Sequence, residues 1–268
     1  MKVLRTADKF FIIGFLFLSL HGFSQSEWKN WSSIGLDIGL SKKTDIGVSH
    51  LRSYNLDNNF KNTFKQWNVK VDHDLTRRFS LRAGIILTKL VNDSISTNRF
   101  IVRGTYKTPI LNIINWSNSL QGELHSPTQT RYNYRIIYMT RLAPKKRVGP
   151  LKLSPSVSYW LYYNLGGNAI QYYDETGSPL TLETPDGLHR GRFILSLNSK
   201  ISKYLDLSLY YLNQHEFNLA GKDMNVIDPN TGKVERPFSN FNVAGVSLSL
   251  SFDAYKKKGK KKSNKLKK

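Results

Sequence analysis

The chain has 268 residues, with 40 Lys and Arg against 19 Asp and Glu for a formal net charge of +21, and it contains no cysteine. The lack of cysteine excludes disulfides, thiolate metal sites and a cysteine-linked lipid anchor. A mean hydropathy of −0.41 argues against a bundle of membrane-spanning helices, but it is compatible with membrane strands in which every second residue is polar.

Residues 1–24 predict a secretory signal peptide. Basic residues come first, an apolar run follows over residues 10–18, and small residues close the segment at Ser24. This order is typical of an export signal that is cut after Ser24, so that the mature chain begins at Gln25. A retained membrane anchor is the alternative, but the apolar run is shorter than the roughly 20 residues of a spanning helix.

Apolar and polar residues alternate one for one in short segments along the rest of the chain. In residues 79–88 the odd positions are apolar and the even ones polar or small, with Ile86 as the single exception. A strand with this pattern has one apolar and one polar face. In chain order the predicted strands are Trp31–Leu40, Asp45–Tyr54, Thr63–Asp74, Arg78–Leu90, Arg99–Lys107, Asn112–Leu124, Arg131–Arg141, Leu151–Tyr163, His189–Ile201, Leu205–Asn213 and Asn242–Phe252.

These strands predict an all-β protein, an antiparallel, transmembrane up-and-down β-barrel over residues 25–252 with its apolar face toward lipid. Single-chain barrels normally have an even number of strands, so we expect roughly ten, with twelve as the alternative. The competing interpretation is a soluble, exported β-sandwich. In a barrel, aromatic residues at strand ends would form girdles at the membrane surfaces. These are Trp28, Trp31, Trp67, Trp116, Trp160 and many tyrosines.

The predicted connections also alternate in length. Short ones occur at Ser41–Thr44, Thr76–Arg78, Lys107–Leu111 and Ser202–Tyr204, and long polar ones occur at Gly166–Gly187 and Phe217–Pro237. Membrane barrels have short turns on the periplasmic side and long loops outside, so the two sets are expected at opposite ends.

Nine lysines lie between Lys256 and Lys268. Such a segment cannot bury a core, so residues 253–268 predict a disordered basic tail. Because an exported chain does not meet nucleic acid, we expect anionic lipid head groups as the partner of this tail, with a solvated tail without a partner as the alternative.

Basic residues outnumber acidic ones at the alternate strand positions that would face the lumen. Rings of Arg or Lys favour anions, which predicts an anion-preferring, porin-like lumen. The alternative is a narrow lumen filled by side chains whose charges pair, with no path through it. The basic candidates are Lys70, Arg82, Arg99, Arg103, Arg131, Arg135, Arg190 and Arg192, and their acidic partners would be Asp37, Asp72, Glu123 and Asp206.

A lipid-acting enzyme with a histidine near the rim is a further alternative. The mature histidines, His50, His73, His125, His189 and His215, stand in no recognisable nucleophile or metal-binding spacing. The triplet Asp72, His73, Asp74 is typical of a solvated strand end. We therefore expect no catalytic residue, metal or cofactor.

Several of these features together resemble an outer-membrane family common in Bacteroidota, domain of unknown function 2490. They are the signal ending at Ser24, the Trp31 strand running into the Ser41–Lys43 turn, the strand, basic turn and strand units at Leu75–Leu81 and Ile201–Leu207, and the Arg131–Arg141 strand. The resemblance covers about residues 28–252. It implies a barrel that is inserted into outer-membrane lipid by the barrel assembly machinery, with no established activity. The chain departs from the family by continuing past Phe252 into the lysine tail. The expected function is a non-enzymatic outer-membrane barrel with a structural or small-solute role.

Overall fold

The computed structural model describes residues 27–91, 96–110, 113–126, 132–173, 178–184, 186–216 and 240–255. Within these ranges no helix has the length and apolar character needed to cross a membrane. The strands are β1 (Glu27–Gly39), β2 (Thr44–Asn55), β3 (Lys61–Asp74), β4 (Phe79–Leu90), β5 (Ser96–Ile110), β6 (Ile114–Ser126), β7 (Tyr134–Pro144), β8 (Leu153–Leu165), β9 (Ile170–Tyr173), β10 (Pro179–Glu183), β11 (Gly187–Lys200), β12 (Leu205–Glu216) and β13 (Phe241–Asp253).

Eleven of the strands close into a barrel, in the order β1, β13, β12, β11, β8, β7, β6, β5, β4, β3, β2. Strands β9 and β10 form a separate antiparallel hairpin in the connection between β8 and β11. The predicted all-β barrel is confirmed. The predicted signal peptide and the tail from Lys256 onward lie outside the described residues and stay predictions.

The expected strand number, ten or else twelve, is corrected to eleven. An even number follows when the first and last strands pair antiparallel, but β1 and β13 pair parallel, with Trp31 opposite Gly245 and Ile38 opposite Phe252. Alternation is weaker in the predicted strand Asp45–Tyr54 than in the other segments, but it is a full strand, β2. A parallel seam therefore lets an odd number of strands close the sheet.

The connections divide between two ends of the barrel, with the predicted short ones at one end and the predicted long ones at the other, although residues 145–152 at the first end form a longer connection than residues 56–60 at the second. The turn end carries residues 40–43, 75–78, 145–152 and 201–204 and the connection that follows β5, and the loop end carries the connections that follow β2, β4, β6, β8 and β12. The long predicted connection Gly166–Gly187 lies at the loop end and contains the β9 and β10 hairpin. Residues 217–239, which follow β12, lie outside the described part.

Three turns at the turn end share one hydrogen-bonding pattern. In each, a hydroxyl accepts hydrogen bonds from the backbone N–H groups two and three residues later, which substitutes for a backbone turn. Ser41 accepts from Lys43 at 3.1 Å and Thr44 at 3.0 Å, Thr76 from Arg78 at 3.2 Å and Phe79 at 2.9 Å, and Ser202 from Tyr204 at 3.2 Å and Leu205 at 3.1 Å. This pattern explains why the strand, basic turn and strand units recur in the sequence.

The barrel wall has an apolar outer face and a largely polar inner face. On the outer face Val102 is 62% exposed, Leu120 60% and Trp67 51%. On the inner face Gln121, Glu123 and other polar side chains are buried. The alternation read from the sequence thus corresponds to two sides of one closed sheet.

Candidate functional site

The lumen is the candidate site, because the register brings most of the predicted polar residues there. Arg131 lies outside the described residues. The other basic candidates all occupy inward positions of their strands: Lys70, Arg82, Arg99, Arg103, Arg135, Arg190 and Arg192.

Four of the predicted residues form an ion-pair network in the half of the lumen nearer the turn end. Lys70 Nζ lies 3.0 Å from Asp37 and 3.8 Å from Asp72, and Asp72 accepts a bidentate pair of hydrogen bonds from Arg82 at 2.6 and 3.0 Å. Gly47 makes room for it, because a Cβ at that position would lie 2.2 Å from the Lys70 side chain. These charges neutralise one another.

Glu123 is the centre of a second network, nearer the loop end. Its carboxylate accepts hydrogen bonds from Arg135 at 2.6 and 3.0 Å and from Gln121 Nε2 at 2.5 Å, and it lies 3.1 Å from His125 Nε2. The side chains of Arg135 and Glu123 are only 6% and 2% exposed. Both Arg135 nitrogens donate to the same oxygen, Oε2, so Arg135 and Glu123 form a buried ion pair joined by charge-assisted hydrogen bonds.

Three guanidinium groups surround one aromatic ring at the same level. Arg135, Arg190 and Arg192 lie 5.1, 5.9 and 5.0 Å from the ring centre of Tyr162, within the range of cation–π attraction. Tyr162 is 1% exposed, and its hydroxyl has no hydrogen-bond partner among the described residues. Arg190 is paired with Glu216, to which its Nε donates at 2.7 Å.

Three of the inward arginines have amide or hydroxyl partners instead of carboxylates. Arg99 donates to Gln66 at 3.0 Å, Arg103 to Gln121 at 2.6 Å, and Arg192 to Gln214 at 2.7 Å. Over the described ranges none of these three arginines has a carboxylate within 4.0 Å. The described side chains therefore leave these three guanidinium groups without a direct carboxylate partner.

The positive charges of the lumen also act on Tyr132, a residue in the connection before β7. Tyr132 precedes β7, and its hydroxyl accepts a hydrogen bond from Arg135 Nη1 at 3.0 Å. Burial by itself would raise the pKa of the Tyr132 phenol, but Arg135, Arg190 and Arg99 outweigh burial and lower that pKa below its ordinary value. The predicted strand Arg131–Arg141 includes Tyr132 among its alternating apolar residues, which would place it on the outer face. This prediction is wrong, because β7 begins only at Tyr134 and the Tyr132 hydroxyl contacts Arg135 in the lumen.

Apolar and aromatic side chains fill part of the lumen. One buried cluster lies on β7 and β8, and a second buried cluster lies on β11–β13. Trp160 packs against both clusters. Trp31 contacts the second cluster and lies 5.7 Å from Arg192. The prediction that Trp31 and Trp160 belong to membrane girdles is therefore wrong, whereas Trp67 and Trp116 do face outward. The buried cluster residues are Ile137, Met139 and Tyr162, and Ile194, Leu212, Phe241 and Val243.

Asp206 has a different partner from the one expected. It lies 3.0 Å from Arg147, in the connection between β7 and β8, and both side chains are partly exposed. Sequence reasoning missed Glu216 because the predicted strand stops at Asn213, whereas β12 continues to Glu216. It also missed the apolar lumen residues, although the unbroken apolar run over residues 136–139 indicates apolar surroundings on both faces of β7.

The histidines are spread over the barrel. The His50 ring contacts the Trp67 ring with ring centres 4.2 Å apart and the planes tilted by 33°, and His215 lies 3.1 Å from the Tyr159 hydroxyl. Within the triplet at residues 72–74, Asp72 faces the lumen while His73 contacts Thr44 at 2.9 Å on the other side of the wall. Among the described residues no group of three or more His, Asp or Glu could hold a metal ion.

The fold and lumen define a closed, mostly antiparallel β-barrel with an apolar exterior and a basic, partly filled interior. Neither the protein-family models nor the curated proteins contain a match to this chain.

Proposed function

We propose that this chain is an outer-membrane β-barrel without enzymatic activity, which handles small anions in its lumen. The observation that carries the proposal is the exposed apolar outer face. Val102, Leu120 and Phe100 are each at least half exposed, and a contiguous apolar surface of this kind requires a partner, which in a closed barrel is lipid. The resemblance to domain of unknown function 2490, insertion by the barrel assembly machinery and export by residues 1–24 belong to the same proposal.

The lumen supports the preference for anions. Among the described residues, Arg99, Arg103 and Arg192 donate hydrogen bonds to amides and hydroxyls and have no carboxylate in direct contact, and Tyr162 adds a buried hydroxyl without a partner in the described part of the chain. Leaving such a hydroxyl unpaired costs about 1–3 kcal/mol. A small anion at this level would accept hydrogen bonds from the arginines and from Tyr162.

Membrane location is tested by fractionation and gel mobility. We expect the protein in the outer-membrane fraction, with a folded band that migrates faster before boiling than after it. A protein that stays dispersed without detergent would contradict the proposal and favour the exported β-sandwich.

Anion preference is tested in planar bilayers under a salt gradient. We expect a small conductance, because side chains fill part of the lumen, with a reversal potential displaced toward that of chloride. The double variant Arg99→Gln/Arg192→Gln should reduce this displacement, while the control Lys42→Gln/Lys43→Gln, in an exposed turn, should leave it unchanged. A cation preference would contradict the proposal.

A closed, purely structural barrel is the second candidate. The two buried clusters in the lumen favour it, since Tyr162, Val243 and their neighbours leave less open width. Absence of any conductance in a correctly inserted protein would select this candidate. The anionic lipid head groups proposed as partner of Lys256–Lys268 are compatible with both, since the tail follows β13 at the turn end.

A further inference from the structure

Three exposed basic side chains form a row across the outer face of neighbouring strands, toward the loop end. Arg52 of β2 lies opposite Lys65 of β3, and Lys65 lies opposite Lys89 of β4. We call Arg52, Lys65 and Lys89 the basic row. Because neighbouring strands lie about 4.8 Å apart, the three Cα atoms span roughly 10 Å.

The neighbours of these residues show that the row faces outward. Ser53, next to Arg52, is fully buried. Gln66 and Thr88, next to Lys65 and Lys89, both accept hydrogen bonds from Arg99 in the lumen. Successive side chains of a strand point to opposite faces, so the basic row lies on the outer surface.

The described part of the chain supplies no counter-charge to the row. None of its three side chains has a described carboxylate within 4.0 Å. Like charges directly opposite one another on a sheet are destabilising. A bound anion would remove this repulsion.

The residues below the row hold it in place. Arg52 Nε donates to His50 Nε2 at 3.3 Å, and the His50 ring contacts the Trp67 ring with ring centres 4.2 Å apart. The next outward positions beyond His50 and Trp67, farther from the loop end, are apolar. Val48 lies opposite Val69, and Val69 lies opposite Ile85. The cations therefore sit directly above an apolar belt, with an imidazole and an indole between them.

Hydroxyl groups flank the row on both sides. Ser32 of β1 lies opposite Arg52, and Ser96 of β5 lies opposite Lys89. The Ser32 hydroxyl donates to Asn30 Oδ1 at 2.7 Å. The guanidinium, the two ammonium groups and the Ser96 hydroxyl, at the edge of an apolar wall, are donors suited to a phosphate whose attached chains lie along that wall.

We propose that the basic row binds the phosphate of a lipid in the outer leaflet, a phosphorylated glycolipid of the lipid A class. Its phosphate contacts Arg52, Lys65 and Lys89, and its acyl chains lie against Val48, Val69 and their neighbours. This inference rests on the proposed membrane location.

The test uses the full chain, folded into phosphatidylcholine vesicles that contain a minor fraction of lipid A, dephosphorylated lipid A or neither. Bound lipid is measured by native mass spectrometry after transfer to a neutral detergent. The variant Arg52→Gln/Lys65→Gln/Lys89→Gln removes the row. The control Lys42→Gln/Lys43→Gln/Lys203→Gln removes the same charge from exposed turns at the opposite end of the barrel.

A basic side chain at an anionic membrane surface contributes about a fivefold factor in affinity. We therefore expect the row variant to bind lipid A on the order of a hundredfold more weakly, and the control variant to bind it like the unchanged chain. Exchanging the cations, as Arg52→Lys/Lys65→Arg/Lys89→Arg, should retain most of the binding. Equal binding of the dephosphorylated lipid, or equal losses in the row and control variants, would overturn the proposal.

Gel mobility of each variant before and after boiling reports whether it has folded and inserted. If the triple variant does not fold, Lys65→Gln alone, with an expected loss of about fivefold, decides the question. If the unchanged chain fails to insert, the membrane location fails and the lipid proposal fails with it. If it inserts and shows no preference for the phosphorylated lipid, only the lipid proposal fails.

Discussion

The buried pair of Glu123 and Arg135 is expected to be the most sensitive ion pair in the described lumen. Glu123→Gln removes the negative charge that compensates Arg135 and leaves that guanidinium with only neutral acceptors, the new amide oxygen and the Tyr132 hydroxyl. Both side chains are nearly inaccessible, at 2% and 6% exposure. Removing one partner of a buried ion pair costs about 3–5 kcal/mol, so the folding equilibrium constant should fall by roughly a hundredfold or more.

The assay is urea unfolding of the inserted barrel, followed by tryptophan fluorescence. The free energies of unfolding are compared between variants whose unfolding depends equally steeply on the urea concentration. The control is Asp206→Asn, whose partner Arg147 also lies at 3.0 Å but in a pair that is 28% and 38% exposed. Exposed pairs contribute about 0–1 kcal/mol. The double variant Glu123→Gln/Arg135→Met should recover much of the loss, because no uncompensated charge remains. If Glu123→Gln cost no more than Asp206→Asn, the ion-pair argument would be refuted.

Two further substitutions test the outer face and the packing of the lumen. Val102 is 62% exposed. Val102→Arg should lower the free energy of unfolding by about 2–4 kcal/mol if the outer face lies in a bilayer, but change it by no more than about 0.5 kcal/mol if that face meets water. Unfolding measured in vesicles distinguishes the two. Gly245→Ala would place a Cβ 2.0 Å from the Tyr210 ring, so we expect a loss of about 1–3 kcal/mol. Gly122→Ala, whose Cβ would meet nothing within 4 Å, should be nearly neutral, and equal losses in the two variants would contradict this packing.

The alternation along each segment was sufficient to predict the closed barrel and the face of most residues. A period of two places Asp72 and Lys70 on one face of β3 and Arg82 on the same side of β4, and these side chains do meet. Ile86, the exception in its segment, is inward and buried. Period alone cannot predict which strands close the barrel, because the parallel seam between β1 and β13 depends on contacts between the two ends of the chain.

From the sequence, the ion-pair partner of a charged residue was less predictable than the face of the sheet that the residue occupies. Whether Arg190 meets Glu216 depends on the register between β11 and β12 and on how far β12 continues beyond the apolar belt. Gln214, His215 and Glu216 are all polar, so no alternation marks this part of the strand, although its backbone pairing with β11 continues. The strand continues there because its partner strand still offers hydrogen bonds.

The positions of charge along β4 provide an independent argument for the membrane. The outward residues from Phe79 to Leu87 are all apolar, and the strand is bounded by Arg78 at the turn end and by Lys89 at the loop end. These two cations are eleven residues apart in the sequence, about 36 Å along an extended strand. At the tilt of roughly 40° typical of membrane barrels this corresponds to about 28 Å across the bilayer, close to the apolar band of about 25 Å in such barrels. A soluble sandwich has no requirement for this spacing, whereas a bilayer has a hydrocarbon core of about that thickness, at whose two edges charged side chains can reach the polar head groups.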